Sequence, residues 1–352
     1  MKLDIFNHIF PKAYFTKMTA ALPDAKDMHK RVRAIPCIVD LDERFRIMDK
    51  FDDYAQILSL GSPPVEAFGP PAVTNELARI GNDGMAELCA KYPDRFPGFI
   101  AGLAMNDLPG AVKEAERAIR DLGAVGIQVF TNINGRPLYT PEVEPLFALM
   151  VKHDLPIWMH PARGADFPDY KGEEKSHYEI WWTFGWPYET SVAMAHMVFS
   201  GMFDKFPTIK LITHHLGAMI PYHEGRVGPG WDQLGARTSD EDYTVIVKRM
   251  AEKGRRPIDY FKMFYADTAV FGSSEATKCG LRFFGADRVL FASDMQFDPE
   301  KGSAYIRWTT EIIDRLDISP FERHAIYEGN ARRLLRLDDK SRRSGAKMRS
   351  VA

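Results

Sequence analysis

The chain has 352 residues, 45% hydrophobic and 27% charged, the composition of a globular protein with material for a large core. Lys plus Arg number 46 against 48 Asp plus Glu, so the formal charge is −2 and the basic excess of a nucleic-acid-binding protein is missing. Charged or polar residues interrupt every early apolar stretch and no run approaches the roughly 20 residues that span a bilayer, so neither a signal-peptide core nor a membrane partner is expected.

Short apolar runs recur along the chain at 3–9, 54–60, 99–103, 125–130, 156–160, 209–215, 263–267 and 288–294. Each has the length of a buried parallel strand. The segments between them read as helices. In 111–121, Ala111, Val112, Ala115, Ala118 and Ile119 fall near a 3.6-residue period. The segment 141–153 follows Thr140, with Pro141 first and Glu142 and Glu144 in the opening turn. Ser319-Pro320-Phe321-Glu322 is a capping box ahead of 323–337. Strand and helix alternating in this way predict an α/β fold, a (β/α)8 TIM barrel over residues 1–337. A doubly wound sheet is the alternative, but no Gly-rich phosphate turn follows the first strand. Residues 11–40 are expected to form a small insertion over the barrel mouth after strand 1. Residues 161–188 are expected to form a long aromatic loop after strand 5, and 338–352 a polar, disordered tail. Cys37, Cys89 and Cys279 are widely spaced and odd in number, which fits neither a disulfide framework nor a zinc knuckle and points to the cytoplasm.

The strand ends carry the chemistry. Strand 1 ends at Asn7-His8, strand 5 at Met159-His160, strand 6 at His214-His215 and strand 8 at Ser293-Asp294. A lone histidine is ordinarily a hydrogen-bonded core residue. Four polar strand ends converging on one barrel mouth instead suit a divalent metal such as zinc, with a position left for water or substrate.

Asp4-Ile5-Phe6-Asn7-His8, Trp158-Met159-His160-Pro161, His215-Leu216-Gly217 with Gly225-Arg226, and Phe291-Ala292-Ser293-Asp294 occur in that order. Together they resemble the amidohydrolase-superfamily branch around aminocarboxymuconate-semialdehyde decarboxylase, which includes γ-resorcylate and 5-carboxyvanillate decarboxylases. The resemblance runs from Leu3 to about Leu337. It implies a barrel with one divalent ion, zinc or manganese, and nonoxidative decarboxylation of a small aromatic or unsaturated carboxylic acid. It further implies His8, His160 and Asp294 as metal ligands and His215 as the acid/base residue, with Asp294 a second source of the proton. Relatives are often oligomers, so a homo-oligomer is expected.

One departure stands out. Relatives begin His-x-His or Glu-x-His, whereas Phe6 occupies the first position here and cannot bind a cation. Phe6 is therefore expected to border the substrate. Phe130 at the end of strand 4 leaves no lysine for a binuclear centre. Alternation along an extended strand predicts that His214 points away from the mouth. Arg33 is expected to clamp a carboxylate and Trp186 to stack on a flat substrate. Arg226 is expected to touch substrate or join a scaffold salt bridge, and Arg44 and Arg46 to form helix-surface pairs. A hydrolase or hydratase using metal-bound water, and a metal-free binding protein prompted by Phe6, remain as alternatives.

Overall fold

β1 (Lys2–His8) pairs in parallel with β2 (Tyr54–Ser59), and β2 with β3, a strand in two pieces (Gly98–Phe99 and Ala101–Gly102). The parallel order continues through β4 (Ile127–Phe130), β5 (Ile157–His160), β6 (Leu211–Thr213), β7 (Tyr265–Asp267) and β8 (Val289–Leu290). Two backbone hydrogen bonds close the ring. Ile5 N–H donates to Phe291 O and Asp294 N–H to Phe6 O, both at 3.0 Å. The predicted strands and their order are those of the computed structural model, which describes residues 1–24 and 26–338. The tail expected at 338–352 lies, from residue 339 onward, outside the described residues.

Alternation along the strands fills the barrel. Leu3, Ile5, Ala55, Ile57, Ile100, Trp158, Ile212 and Leu290 form one interior cluster, joined by Leu334 and Leu335 of the helix Asn330–Leu335. A bulge in β1 between Asp4 and Asn7 resets its phase, so that Phe6 joins Leu3 and Ile5 in the interior cluster. The outer helices bury their own stripes against the strands. The helix Leu108–Arg120 buries Ala111, Ala115, Ala118 and Ile119 behind an Asp107 cap, and the Ser319/Glu322 capping box is formed in both directions. No helix among the described residues is long and apolar enough to cross a membrane.

The segment after β1 forms the helices Lys12–Ala21 and Asp27–Arg33. The segment after β5 is mostly irregular until the helix Gly185–Phe199. In that loop Tyr170, Tyr178, Phe184 and Tyr188 face solvent, while Trp181 and Trp186 are buried. Of the aromatic residues expected in this loop, Trp181 and Trp186 are the ones that turn inward.

Arg44 is a second departure. It is fully buried, donating to the backbone carbonyls of Cys37 and His8 and to the side-chain oxygens of Asn7 and Gln56, rather than sitting on a helix surface. Arg46 does pair with Glu43 at 2.8 Å on the outside of the helix Leu41–Met48.

Candidate active site

Three histidines reach the mouth already oriented. His8 has Nδ1 3.1 Å from Leu60 O and 3.0 Å from Ser59 Oγ. His160 has Nδ1 2.7 Å from Pro161 O. His214 has Nδ1 2.5 Å from Asp267 Oδ2. Carbonyl and carboxylate oxygens only accept, so each Nδ1 carries the proton and each Nε2 keeps a lone pair. Metal-binding histidines are commonly held by this arrangement.

Asp294 enters from the other side. Its backbone is left-handed, with φ 54°, which swings the carboxylate off the β8 line into the mouth. Its Oδ1 lies 3.5 Å from His8 Nε2. One donor atom from each of His214, His215 and Asp294 lies within 4.8 Å of the other two. His8 Nε2, His214 Nε2, His215 Nδ1 and Asp294 Oδ1 are all buried without a hydrogen-bond partner. Three of these orphaned atoms cluster together and the fourth, His8 Nε2, borders Asp294; buried and unpartnered, they are costly unless something binds them. They fit one divalent cation.

Burial sets the charge states. It drives the His8, His214 and His215 imidazoles well below the usual histidine range and His160 down to about 4, so all are neutral, the form that ligates. Burial also lifts the Asp294 carboxyl well above the usual carboxylate range, and the Arg31 guanidinium is the main opposing pull. Asp267 is raised to about 7 by burial, against the pull of His215 and backbone N–H groups that include those of Ala269 and His215.

The expected residues separate into those at the mouth and those elsewhere. His8, His160, His215 and Asp294 stand around it. Phe6 is fully buried below, stacked on His214 at 3.8 Å between ring centroids and 15° between planes. Trp186 meets His160 edge-on at 5.5 Å and anchors its Nε1 on Arg163 O. Arg33 is not a clamp: its guanidinium donates to Pro23 O, Thr19 O and Leu22 O, tying the insertion to itself. Arg226 is exposed, with its backbone N–H on His223 O.

His214 also departs from expectation. Ile212 faces the barrel interior, so two residues on His214 faces it as well. His215 then takes φ 52° and turns its ring back beside His214, at 3.7 Å between centroids. Both histidines reach the mouth.

Sequence reasoning passed over two residues. Asp267 ends β7 as the polar cap of an apolar strand, the same signal that marked His8 and His160. Arg31 lies 5.0 Å from the ring centroids of both Trp182 and Phe297 and donates to Phe297 O at 3.0 Å, at the rim above Asp294.

The profile of the amidohydrolase family matches residues 27–337. The chain belongs to this family. Among amidohydrolases of known activity it is 32% identical to a γ-resorcylate decarboxylase of Polaromonas sp. strain JS666, over 84% of this chain and 87% of that one. It is 27% identical to the 2-amino-3-carboxymuconate-6-semialdehyde decarboxylase of Dictyostelium discoideum, over 73% of this chain and 67% of that one. A solved amidohydrolase structure, a dihydroxybenzoic acid decarboxylase from Polaromonas sp. JS666 with bound manganese and the inhibitor 2-nitroresorcinol, superposes with a TM-score of 0.75. That pair is 28% identical, covering 97% of this chain and 98% of the other. The barrel and the family read from the strand-end motifs are both those of the molecule.

Proposed function

We infer that this amidohydrolase is a metal-dependent, nonoxidative decarboxylase of a small aromatic carboxylic acid. The observation that carries the reading is the convergence of unpartnered donor atoms from His8, His214, His215 and Asp294 at the mouth of a barrel shared with such decarboxylases. His8, His160 and Asp294 hold one divalent ion, zinc or manganese. The manganese in the related structure favours manganese. When bound, the ion draws electron density from a substrate oxygen and steadies the charge that builds during reaction.

The protein's own groups do the rest. Trp186 and Phe297 wall the cleft for a flat ring. Arg31 holds the substrate carboxylate at the rim, because its guanidinium spends only one hydrogen bond on Phe297 O among the described residues. His215, neutral in the free protein, takes up a proton from solvent when the anionic substrate brings negative charge beside it, and passes that proton to the ring carbon that bears the carboxylate. The bond from that carbon to the carboxylate then breaks, and its electron pair returns to the ring as CO2 leaves. The net change is carboxylate plus one proton to arene plus CO2, with no water added.

The three cysteines are unpaired, which suits a reducing cytoplasm, and a homo-oligomer is the assembly carried over from the resemblance. The test is a panel of hydroxybenzoates, 2,6-dihydroxybenzoate first, incubated with manganese- or zinc-reconstituted protein in ¹⁸O-water. CO2 and an arene free of ¹⁸O are expected. Incorporation of ¹⁸O into the organic product would transfer the site to the hydrolase and hydratase reading, and absence of turnover across the panel would remove the decarboxylase reading.

A further inference from the structure

We propose that His214 is a metal ligand in this chain, taking over the coordination position that Phe6 closes on β1. The proposal rests on the metal-dependent reading above and concerns which side chains hold the ion.

The position vacated on β1 is filled sterically but not chemically. Phe6 is fully buried and has no donor atom. Its ring lies parallel to that of His214, 3.8 Å away. It also meets His8 edge-on at 5.3 Å and His160 at 5.7 Å. Phe6 is thus surrounded by imidazoles, and the one stacked on it brings the missing nitrogen. The two rings occupy adjacent parallel slabs, so the Nε2 of His214 is delivered from β6 to the neighbourhood that an imidazole at position 6 would serve from β1.

His214 is built as a ligand rather than as a packed core histidine. A structural histidine of this burial satisfies both ring nitrogens. His214 satisfies one. Its Nδ1 is fixed by Asp267 at 2.5 Å, while its Nε2 is buried and unpartnered, in the group formed with His215 and Asp294. Asp267 is itself held by the N–H groups of His215 at 3.2 Å and Ala269 at 2.9 Å. A carboxylate behind a histidine, aiming its second nitrogen at the ion, sets both tautomer and direction. His215 is placed differently. Its residue is less buried than His214, with Phe271 5.3 Å away, and among the described residues no hydrogen bond to a carboxylate fixes its tautomer. It is left free to carry a proton.

The experiment measures the metal directly, without substrate. Wild type, His214→Asn, His215→Asn and the double variant Phe6→His/His214→Asn are loaded with Mn(II). Each is titrated for its dissociation constant, and imidazole nitrogens are counted by electron spin-echo envelope modulation. Asparagine keeps a donor for Asp267, and melting curves verify that each variant is folded. His214→Asn is expected to lose one coupled nitrogen and to bind more than about 100-fold more weakly, beyond the 10–100-fold cost of losing an outer partner. Phe6→His in that background is expected to restore the nitrogen and most of the affinity, and His215→Asn to keep the wild-type nitrogen count. An unchanged nitrogen count and affinity in His214→Asn overturns the assignment while leaving the decarboxylase reading intact, as does loss of the nitrogen from His215→Asn instead. A wild-type protein that binds no divalent ion overturns both.

Discussion

Asp4 of β1 and Ser293, just beyond β8, are joined twice: Ser293 donates its backbone N–H to Asp4 Oδ1 at 3.2 Å and its hydroxyl to Oδ2. Tyr54 OH donates to the same Oδ2 at 2.6 Å. This clamp fastens the last strand to the first at the residue preceding Asp294, and so fixes how Asp294 approaches His8. Burial raises the Asp4 carboxyl to about 6, so the clamp is maintained against a desolvation cost. Asp4→Ala is expected to destabilise the fold by about 1–3 kcal/mol, the cost of stranding buried donors. Metal retention is expected to fall with it. Denaturant midpoints and metal content of dialysed protein check both, and a variant with wild-type values on each shows that the clamp does not position Asp294.

His160→Ala and Asp294→Ala are expected to remove bound metal and activity together. His160 Nδ1 is committed to Pro161 O, and Asp294 Oδ1 has nothing but the cation to satisfy it. Elemental analysis after reconstitution decides the matter residue by residue. Full occupancy in either variant takes that residue out of the ligand set.

His215→Asn is expected to keep the metal and to lower turnover by roughly 10²–10⁴, the range for loss of a positioned general acid or base. Asparagine has similar size and hydrogen-bonding capacity but carries no titratable proton. The two readouts together matter here. Loss of metal in this variant would move His215 from proton transfer to coordination, whereas unchanged turnover would give the proton step to Asp294.

The strand ends were legible because one rule covers them. An apolar run of barrel-strand length that stops at a histidine or aspartate presents that residue at the mouth, and His8, His160 and Asp294 are found there. The same rule applies to Asp267, whose run Met263-Phe264-Tyr265-Ala266 is as apolar as the others. The orientation of His214 could not be read by counting back from His215, because the left-handed backbone at His215 breaks alternation there and brings both rings inward. Such left-handed residues also occur at Leu216, Ala218 and Asp294, which places backbone strain around the site. Arg31 and Arg33 share a helix two residues apart, hence about 200° apart around its axis. One faces the mouth and the other the insertion, and composition does not distinguish them.

Glu66 supplies a test of stability against pH. It is buried in the turn Val65–Phe68 after β2, with neither carboxyl oxygen properly hydrogen-bonded, and burial lifts it to about 7 from an ordinary 4.5. A raised carboxyl pKa favours folding while the group is protonated in both states, below about 4.5. That contribution is lost as pH climbs from about 4.5 to about 7. Glu66→Gln keeps the shape and removes the ionisation. It is expected to match wild type near pH 5 and to be more stable at pH 8, by up to about 3 kcal/mol for a shift of this size. Melting midpoints at the two pH values provide the comparison. A difference that does not grow with pH means that the carboxyl ionises without penalty.

Arg31 separates substrate binding from the metal centre. Its guanidinium lies 5.0 Å from the centroids of both the Trp182 and Phe297 rings, and it is the main charge favouring ionised Asp294. Arg31→Met preserves most of the aliphatic packing but removes the charge. A charged hydrogen bond to substrate contributes about 1.5–3 kcal/mol, so KM for an aromatic acid is expected to rise by roughly 10–150-fold. Lysine is expected to rescue little, since it lacks the planar fork of the guanidinium. Arg33→Met is the matched control: Arg33 binds the carbonyls of Thr19, Leu22 and Pro23, so its loss is expected to lower the melting temperature and leave KM near wild type. If Arg33→Met raises KM while Arg31→Met does not, the carboxylate is held from the insertion rather than from the rim. If Arg31→Met instead depletes the metal, its charge acts through Asp294 and not on the substrate.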